Sequence, residues 1–248
     1  MSTRESNAEI PRLDSSAAVP ALSRLEKQLP PLLSVIAGMV DLIGFLTLGR
    51  IFTAHITGNL VLIAAVLGRG GQLNLAQALA IPAFIFAVGA IWLLARMSGK
   101  RGPSLARLLL LIQFLLLTGI LSFTVLIKPS VSPHGLLTDI AVMMAVSSIA
   151  CQYALFRLAM PYSLSTAVMT GNLTNTILSL LDTLSRTQPV MKGAAERLRT
   201  SLHLLLGFLV GCAAAAAAVS LVGDWAWSFP AGLAGIAVGS SLQRSLED

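Results

Sequence analysis

The chain has 248 residues and a net charge of +6; 55% of its residues are hydrophobic and only 11% are charged. A soluble domain carries about a quarter charged residues because its surface must be hydrated, so this composition excludes a soluble protein and indicates an integral membrane protein. The basic residues follow the loops between apolar segments, so membrane orientation explains the positive charge better than binding to nucleic acid does.

The first 30 residues differ in character from the rest of the chain. They mix basic and acidic side chains, lack the apolar core that a signal peptide needs, and end at Pro30-Pro31. We interpret residues 1–30 as a flexible polar tail. Residues 31–128 and 136–242 then form two membrane repeats.

Six apolar segments reach or approach the roughly 20 residues that a helix needs to cross a bilayer. They are residues 32–49, 75–95, 105–127, 139–158, 198–222 and 225–238. Two further apolar runs, 59–68 and 172–184, are too short or too polar to cross comfortably. The sequence therefore predicts six full spans and two partial ones.

The basic loops decide whether the short runs cross. If both crossed, the basic cluster at residues 96–107 would lie outside the cell, opposite the basic tail. If each run dips into the bilayer and leaves by the same face, the tail, this cluster and the basic loop at 186–199 all lie inside, as the positive-inside rule requires. We therefore predict an all-α polytopic membrane protein with cytoplasmic termini. Its six transmembrane helices form two inverted 3+3 repeats, each with a re-entrant half-helix.

A short motif occurs once in each repeat, as Thr57-Gly58-Asn59 and as Thr170-Gly171-Asn172. The length of the preceding stretch predicts that each copy lies near the bilayer midplane at the start of a half-helix. Two positive helix ends converging there disfavour cations and suit an anion or a neutral polar solute. The alternative is that the motif only caps helices and allows small residues to pack closely.

Asp41 lies inside the first apolar segment, and Gln152 takes the corresponding place in the second repeat. A carboxylate at the centre of a membrane helix costs about 2.5–3.5 kcal/mol on insertion scales, so it needs a compensating role. Asp41 either accepts hydrogen bonds from the re-entrant loop or from Thr57, or binds solute or protons. Gln152 offers hydrogen bonds but cannot titrate.

His55 precedes the first motif by two residues and is a candidate pH-sensitive partner for Asp41; the alternative is a histidine at the surface or at a pore mouth. No metal-ligand spacing, phosphate-binding loop or pair of catalytic carboxylates occurs in the sequence. We therefore expect no metal, no cofactor and no enzymatic activity. The predicted substrate-binding residues are Asp41, His55, Thr57, Gly58, Asn59, Gln152, Thr170, Gly171 and Asn172.

The residues 40–42 and 52–59, together with Gln152 and the second motif, resemble the YoaK-like family of bacterial membrane proteins, a family of unknown function. The resemblance covers about residues 30–240. Members commonly show Gln-Asn where this chain has Gln152-Tyr153, which implies a narrower or more apolar site in the second repeat. The resemblance implies a bacterial cytoplasmic membrane and implies no substrate.

The leading functional hypothesis is a channel or secondary transporter for a small neutral or anionic solute. Its expected partners are the lipid bilayer and a small-molecule solute, with no nucleic acid, and the sequence leaves open whether the protein forms a homo-oligomer. One alternative is a non-catalytic membrane scaffold or assembly factor. Another is a membrane enzyme that acts through Asp41 and His55, which requires both groups to share one cavity.

Overall fold

The structure is a computed structural model that describes residues 24–70, 75–128, 135–166, 169–185 and 194–243. Within these ranges the chain forms eight α-helices, one 3₁₀ helix and no strand. The helices are α1 (Arg24–Thr47), α2 (Ile56–Gly68), α3 (Leu75–Ser98), α4 (Gly102–Ile127), α5 (Leu136–Leu158), α6 (Met169–Ser185), α7 (Ala194–Val222) and α8 (Ser228–Gln243), and the 3₁₀ helix Gly223–Trp227 joins the last two. Residues 1–23, most of the predicted tail, lie outside the described ranges.

Five helical segments of the described chain are long and apolar enough to cross a membrane. They are Gln28–Thr47, Leu75–Ser98, Gly102–Ile127, Leu136–Leu158 and Leu198–Gln243. The last is 46 residues long and contains both α7 and α8, so it combines two of the six predicted spans. By contrast, α2 has 13 residues, about 20 Å of helix, which is shorter than the roughly 30 Å hydrocarbon core.

Six of the eight helices begin earlier than the sequence predicts; α4, α5 and α7 do so by three or four residues, and the changes in α1, α2 and α6 affect the predicted tail and motifs. α1 starts at Arg24 and includes Pro30 and Pro31, where the sequence predicts the end of the tail. The prolines are tolerated because the carbonyls that lose their partners, four residues upstream, lie in the first turn of the helix. The short helices α2 and α6 each begin three residues before the predicted runs, so the Thr-Gly-Asn motifs form their first turns.

The closest helix packing is between α1 and α7. The Ser34 hydroxyl donates to the Leu204 carbonyl, and further along both helices the Cys212 thiol donates to the Gly38 carbonyl at 3.5 Å. Glycine makes the close approach possible, because a Cβ at Gly38 would overlap the Phe208 carbonyl. Since the contacts advance in the same direction along both helices, α1 and α7 run parallel.

The start of α3 lies beside the end of α1. The side-chain amide of Gln77, in the first turn of α3, approaches the carbonyl of Arg50 at 3.5 Å, and Arg50 follows α1 by three residues. The chain therefore leaves α1, passes through α2 and returns to the level at which α1 ended.

α8 folds back after α7 instead of continuing it. Gly223 ends α7 with a φ of 56°, in the left-handed region that favours glycine. α8 packs against α1 and α4. Because α1 and α7 run parallel and end at similar levels, α8 reaches α1 only by reversing its direction.

The extensively packed pairs of α-helices show an internal regularity. α1 packs on α7 as α5 packs on α3, α2 packs on α3 as α6 packs on α7, and α4 packs on α5 as α8 packs on α1. α4 also packs on α8, and α1 on α5. If α1, α2, α3 and α4 are exchanged with α5, α6, α7 and α8, respectively, the same set of packed helix pairs results.

The α1–α7 contact predicts that Gly38→Ala destabilises the protein. The added methyl group would overlap the Phe208 carbonyl, and such overpacking typically costs about 1–3 kcal/mol. Gly89→Ala in α3 is the matched control, because nothing lies within 4 Å of the added carbon there. Thermal unfolding in detergent should show a lower midpoint for Gly38→Ala only. Equal midpoints for the two variants would contradict the close packing of α1 on α7.

Candidate site in the membrane interior

The first loop, residues 48–55, turns the chain back along α1. Gly49 and Arg50 have φ values of 88° and 61°, so two consecutive left-handed residues reverse the backbone directly after the helix. Leu48 and Ile51 are fully buried, and they hold the reversed chain against the protein interior. The loop consequently reaches Asp41, which lies six residues before the end of α1.

Asp41 anchors this loop through both carboxylate oxygens. The backbone amides of Thr53 and Ala54 each donate to Oδ1 at 2.7 Å, and the Thr53 hydroxyl lies 3.4 Å from the same atom. The carboxylate is buried, with 7% of its side chain exposed. One of the two interpretations of Asp41 predicted that it supports the loop through hydrogen bonds from the loop amides or from Thr57. Asp41 does support the loop, through the loop amides and not through Thr57.

His55 supplies the remaining contact of the carboxylate. Its Nδ1 lies 2.6 Å from Asp41 Oδ2, and its imidazole is 45% exposed. The ring also meets Phe208 of α7 edge-on at a centroid distance of 5.3 Å and Phe52 at 6.2 Å. The predicted pairing of Asp41 with His55 is therefore present, and the imidazole lies between the buried carboxylate and the protein surface.

The two motif asparagines make the same local contact. Asn59 is fully buried; its Nδ2 donates to the Phe52 carbonyl at 2.7 Å, and its Oδ1 accepts from the Phe52 amide at 3.0 Å. In the second repeat, Asn172 Nδ2 donates to the Ser165 carbonyl at 3.0 Å. Each asparagine thus closes its loop onto a residue seven positions upstream, so these side-chain amides support the backbone.

Gln152 anchors the second loop, residues 159–168, of which 167 and 168 lie outside the described chain. Its Nε2 donates to the Thr166 hydroxyl at 2.9 Å and to the Leu33 carbonyl of α1 at 2.8 Å. Its Oε1 accepts from Gln113 Nε2 of α4 at 2.8 Å. Gln152 is fully buried and connects α5 to two other helices as well as to the loop.

The hydrogen bonds fix the orientation of both glutamines. A backbone carbonyl can only accept, so the Leu33 carbonyl requires the NH₂ group of Gln152, which turns Oε1 towards α4. Gln113 must then present its own NH₂ group. Its Oε1 is left buried without a partner in the described chain, which makes this amide pair a costly feature of the interior.

Tyr153 connects the second repeat to the first loop. Its hydroxyl donates to the Ala54 carbonyl at 2.8 Å, while its ring contacts Phe84 of α3. Adjacent residues of α5 therefore hold both loops, Tyr153 the first and Gln152 the second. Tyr153 stands where members of the resembled family commonly have asparagine, and here it forms a contact between the two repeats.

The other predicted site residues lie at the starts of the short helices. Thr57 and Thr170 are exposed, and Gly58 and Gly171 are partly buried. A Cβ at Gly58 would lie 3.0 Å from the Phe52 ring, so glycine allows that ring to pack on the first turn of α2. The N-cap of α2 is His55, without a side-chain capping bond, so Thr57 does not cap the helix. The structure brings Asp41 and His55 into contact and holds Gln152 in a separate cluster.

Sequence reasoning missed Thr53 and Thr166, which bind Asp41 and Gln152. Each lies four residues before the threonine of its Thr-Gly-Asn copy, so the repeated pattern is the longer Thr-Ala-x-x-Thr-Gly-Asn. This longer pattern was available in the sequence and identifies both residues. Gln113 and Tyr153 have no such signal, because their contacts depend on how α4 and α5 pack.

Metal-binding geometry is absent from the described part of the chain, where no group of three or more His, Cys, Asp or Glu side chains comes together. Cys151 and Cys212 are free thiols. The chemistry that the two loops and their anchoring side chains offer is that of one carboxylate with one imidazole, together with neutral hydroxyl and amide groups.

A family model described as "Protein of unknown function (DUF1275)" matches residues 29–240. The chain belongs to this family. The match includes both loops and all eight helices except the ends of the first and the last. The expected resemblance to uncharacterised YoaK-like membrane proteins is confirmed.

One relative is the UPF0700 transmembrane protein YoaK of Bacillus subtilis (strain 168), which is 46% identical over 48 residues. The aligned stretch covers 19% of this chain and 21% of the relative, about a fifth of each. No solved structure matches the chain. Together with the apolar helices, the family and this relative identify the chain as a multi-pass membrane protein.

The buried asparagine contact predicts that Asn59→Asp destabilises the first loop. Aspartate keeps the shape but loses the donor to the Phe52 carbonyl and buries a charge, so a loss of about 2 kcal/mol or more is expected. Asn175→Asp is the matched control, because Asn175 is exposed on α6. Thermal unfolding in detergent measures both variants. A similar midpoint for Asn59→Asp and wild type would exclude a structural role for the amide.

Proposed function

We propose that the protein is a channel or secondary transporter for a small neutral or anionic solute in the bacterial cytoplasmic membrane. The observation that most directly supports this proposal is that two loops are each held in the apolar interior by one buried polar side chain, Asp41 for the first and Gln152 for the second. Irregular backbone at membrane depth is tolerated only where it is buried in protein or lines a water-filled cavity. The proposed pathway runs along the exposed tips of the short helices.

The packing supports two inverted repeats with six spans. α3 starts at the level where α1 ends, so α2 does not cross. Because α7 runs parallel to α1, the chain must cross an odd number of times between them. The long helices α3, α4 and α5 supply three crossings, so α6 does not cross either. α7 and the reversed α8 then return the chain to the starting face, in agreement with the exchange symmetry of the packed pairs.

The anchoring points support loops that enter from opposite faces. The first loop binds Asp41, and the second loop binds Gln152, which also binds the Leu33 carbonyl. Leu33 and Asp41 lie on either side of the centre of the apolar segment Gln28–Thr47. They are eight residues apart in α1, about 12 Å along the axis. A shared midplane site, with Asn59 and Asn172 within about 10 Å of each other, stays a prediction.

The exposed groups near the tips support a wet surface at this depth. His55 and Thr57 are exposed at the start of α2, and Thr170 is exposed at the start of α6. α6 packs along α7, and His55, the residue directly before α2, contacts Phe208 near the middle of α7. Polar groups facing hydrocarbon would be costly, so water or solute at this surface accounts better for them. The N-terminal ends of α2 and α6 favour neutral or anionic solutes.

Two alternatives each have one supporting observation. The amides of Asn59, Gln152 and Asn172 are all used in buried internal hydrogen bonds, as expected for a non-catalytic scaffold or assembly factor. The contact of Asp41 with His55 is the pair that a membrane enzyme would use as a general base. Transport is preferred because the re-entrant loops approach the interior from both faces.

The topology predicts the side from which each turn can be labelled. A cysteine at Gly70, between α2 and α3, should react only with an impermeant thiol reagent added outside. One at Gln188, between α6 and α7, should react only from inside, and it lies outside the described ranges. Intact cells and inverted membrane vesicles provide the two orientations. Reversed labelling at either position would remove the inverted repeat.

The pathway predicts water access to both helix tips. In a variant without native cysteines, Cys151→Ala and Cys212→Ala, a cysteine at Thr57 should react with an impermeant methanethiosulfonate added outside, and one at Thr170 with the reagent added inside. A cysteine at Phe86 of α3, which is 78% exposed on the isolated chain and faces lipid in the proposed topology, is the negative control. Unreactive tips at both positions would reject the pathway and favour the scaffold.

A further inference from the structure

We propose that Asp41 and His55 form a binding site for one proton, and that this proton is the coupling ion of the pathway. The coupling role rests on the proposed function, whereas the proton site itself rests on the geometry of the first loop. The two residues are 2.6 Å apart, with the carboxylate buried and the imidazole partly exposed.

The site has one open position for a proton. His55 Nδ1 is hydrogen-bonded to Asp41 Oδ2, and Nε2 has no hydrogen-bond partner among the described residues. With Nδ1–H donated to the carboxylate, a proton delivered by hydronium binds at Nε2, and a water molecule leaves. The imidazole becomes imidazolium, and the Nδ1–H hydrogen bond to Asp41 becomes an ion pair.

Binding changes the net charge of the site from −1 to zero. A net charge in the apolar interior is costly and requires water, whereas a neutral ion pair is tolerated much better without it. The unprotonated site therefore favours a hydrated loop, and the protonated site favours a closed one. Asp41 Oδ1 stays bound to the amides of Thr53 and Ala54 in either state, so a change in the net charge of the pair acts directly on the loop.

Among the described residues packed around this site, the pair of Asp41 and His55 is the only strongly charged group. Tyr153 of α5 reaches the same loop through its hydroxyl, and Cys212 of α7 lies one turn along α1 from Asp41, at Gly38. The ring contacts from α7 and from the loop itself are apolar, Phe208 and Phe52. α2 contributes no ionisable side chain.

The second repeat provides an internal comparison. Its loop is held by Gln152, which cannot titrate, and Val168 stands at the position that corresponds to His55 in the repeated motif. One side of the pathway therefore binds a proton and the other does not. Such asymmetry gives one proton per protein chain and makes loop 48–55 the pH-dependent element.

The test compares the reactivity of the two helix tips as a function of pH. Single cysteines at Thr57 and at Thr170, in the variant without native cysteines, are labelled in detergent with the same methanethiosulfonate between about pH 5.5 and pH 8.5, a range in which histidine titrates. The Thr170 cysteine corrects for ionisation of the thiol. We expect the Thr57 to Thr170 rate ratio to rise about fivefold or more towards high pH, since a net charge recruits water.

Two substitutions assign this effect to the pair. Asp41→Asn keeps an acceptor for the loop amides and removes the charge, and His55→Gln removes the titrating ring. Both should make the rate ratio independent of pH, while thermal unfolding and gel filtration show that each variant is folded. Histidine ring NMR on the Asp41→Asn variant should show that His55 binds a proton about tenfold less tightly than in wild type, because the neighbouring charge is gone.

The outcomes separate this inference from the proposed function. A reactive Thr57 cysteine whose rate ratio does not change with pH would overturn the proton site and leave the pathway intact. Equal proton affinity of His55 in wild type and in Asp41→Asn would also overturn it. Tips that are unreactive in membranes, with a pH-dependent ratio in detergent, would reject the pathway and with it the coupling role, but would retain the proton site.

Discussion

A carboxylate inside an apolar helix is the constraint on which the first half of this protein depends. Asp41 cannot remain unpaired at that depth, and two backbone amides and an imidazole satisfy it. The same contacts solve the converse problem for the first loop, whose backbone groups would otherwise be unsatisfied in an apolar environment. Loop and carboxylate therefore stabilise each other, and neither would be favourable alone.

The second repeat solves the same problem with neutral groups. Gln152 binds the Thr166 hydroxyl where Asp41 binds Thr53, and it also reaches α1 and α4. The cost is a buried Oε1 on Gln113 without a partner in the described chain. Because a glutamine has both donors and an acceptor, it can connect three elements, whereas the carboxylate can only accept. The two loops are thus alike in backbone support and different in charge.

The repeats are joined by contacts that a single repeat could not make. Each first helix packs on the third helix of the other half, α1 on α7 and α5 on α3. Tyr153 extends this exchange to the loops, since it belongs to the second half and binds Ala54 in the first. α5 therefore contacts both loops, the first through Tyr153 and the second through Gln152.

The sequence by itself determined the membrane setting, the family and the approximate helix positions, because composition and apolar length are local properties. The cost of a buried charge also indicated that Asp41 needs a partner, and the loop was one of two alternatives. The sequence also contained the repeated threonines at 53 and 166. The tertiary structure decided which helices pack together, the parallel run of α1 and α7 and the contacts of Gln113 and Tyr153. These depend on glycines such as Gly38 that let backbones approach and on residues far apart in the chain, and a periodic apolar pattern does not specify which helix faces which.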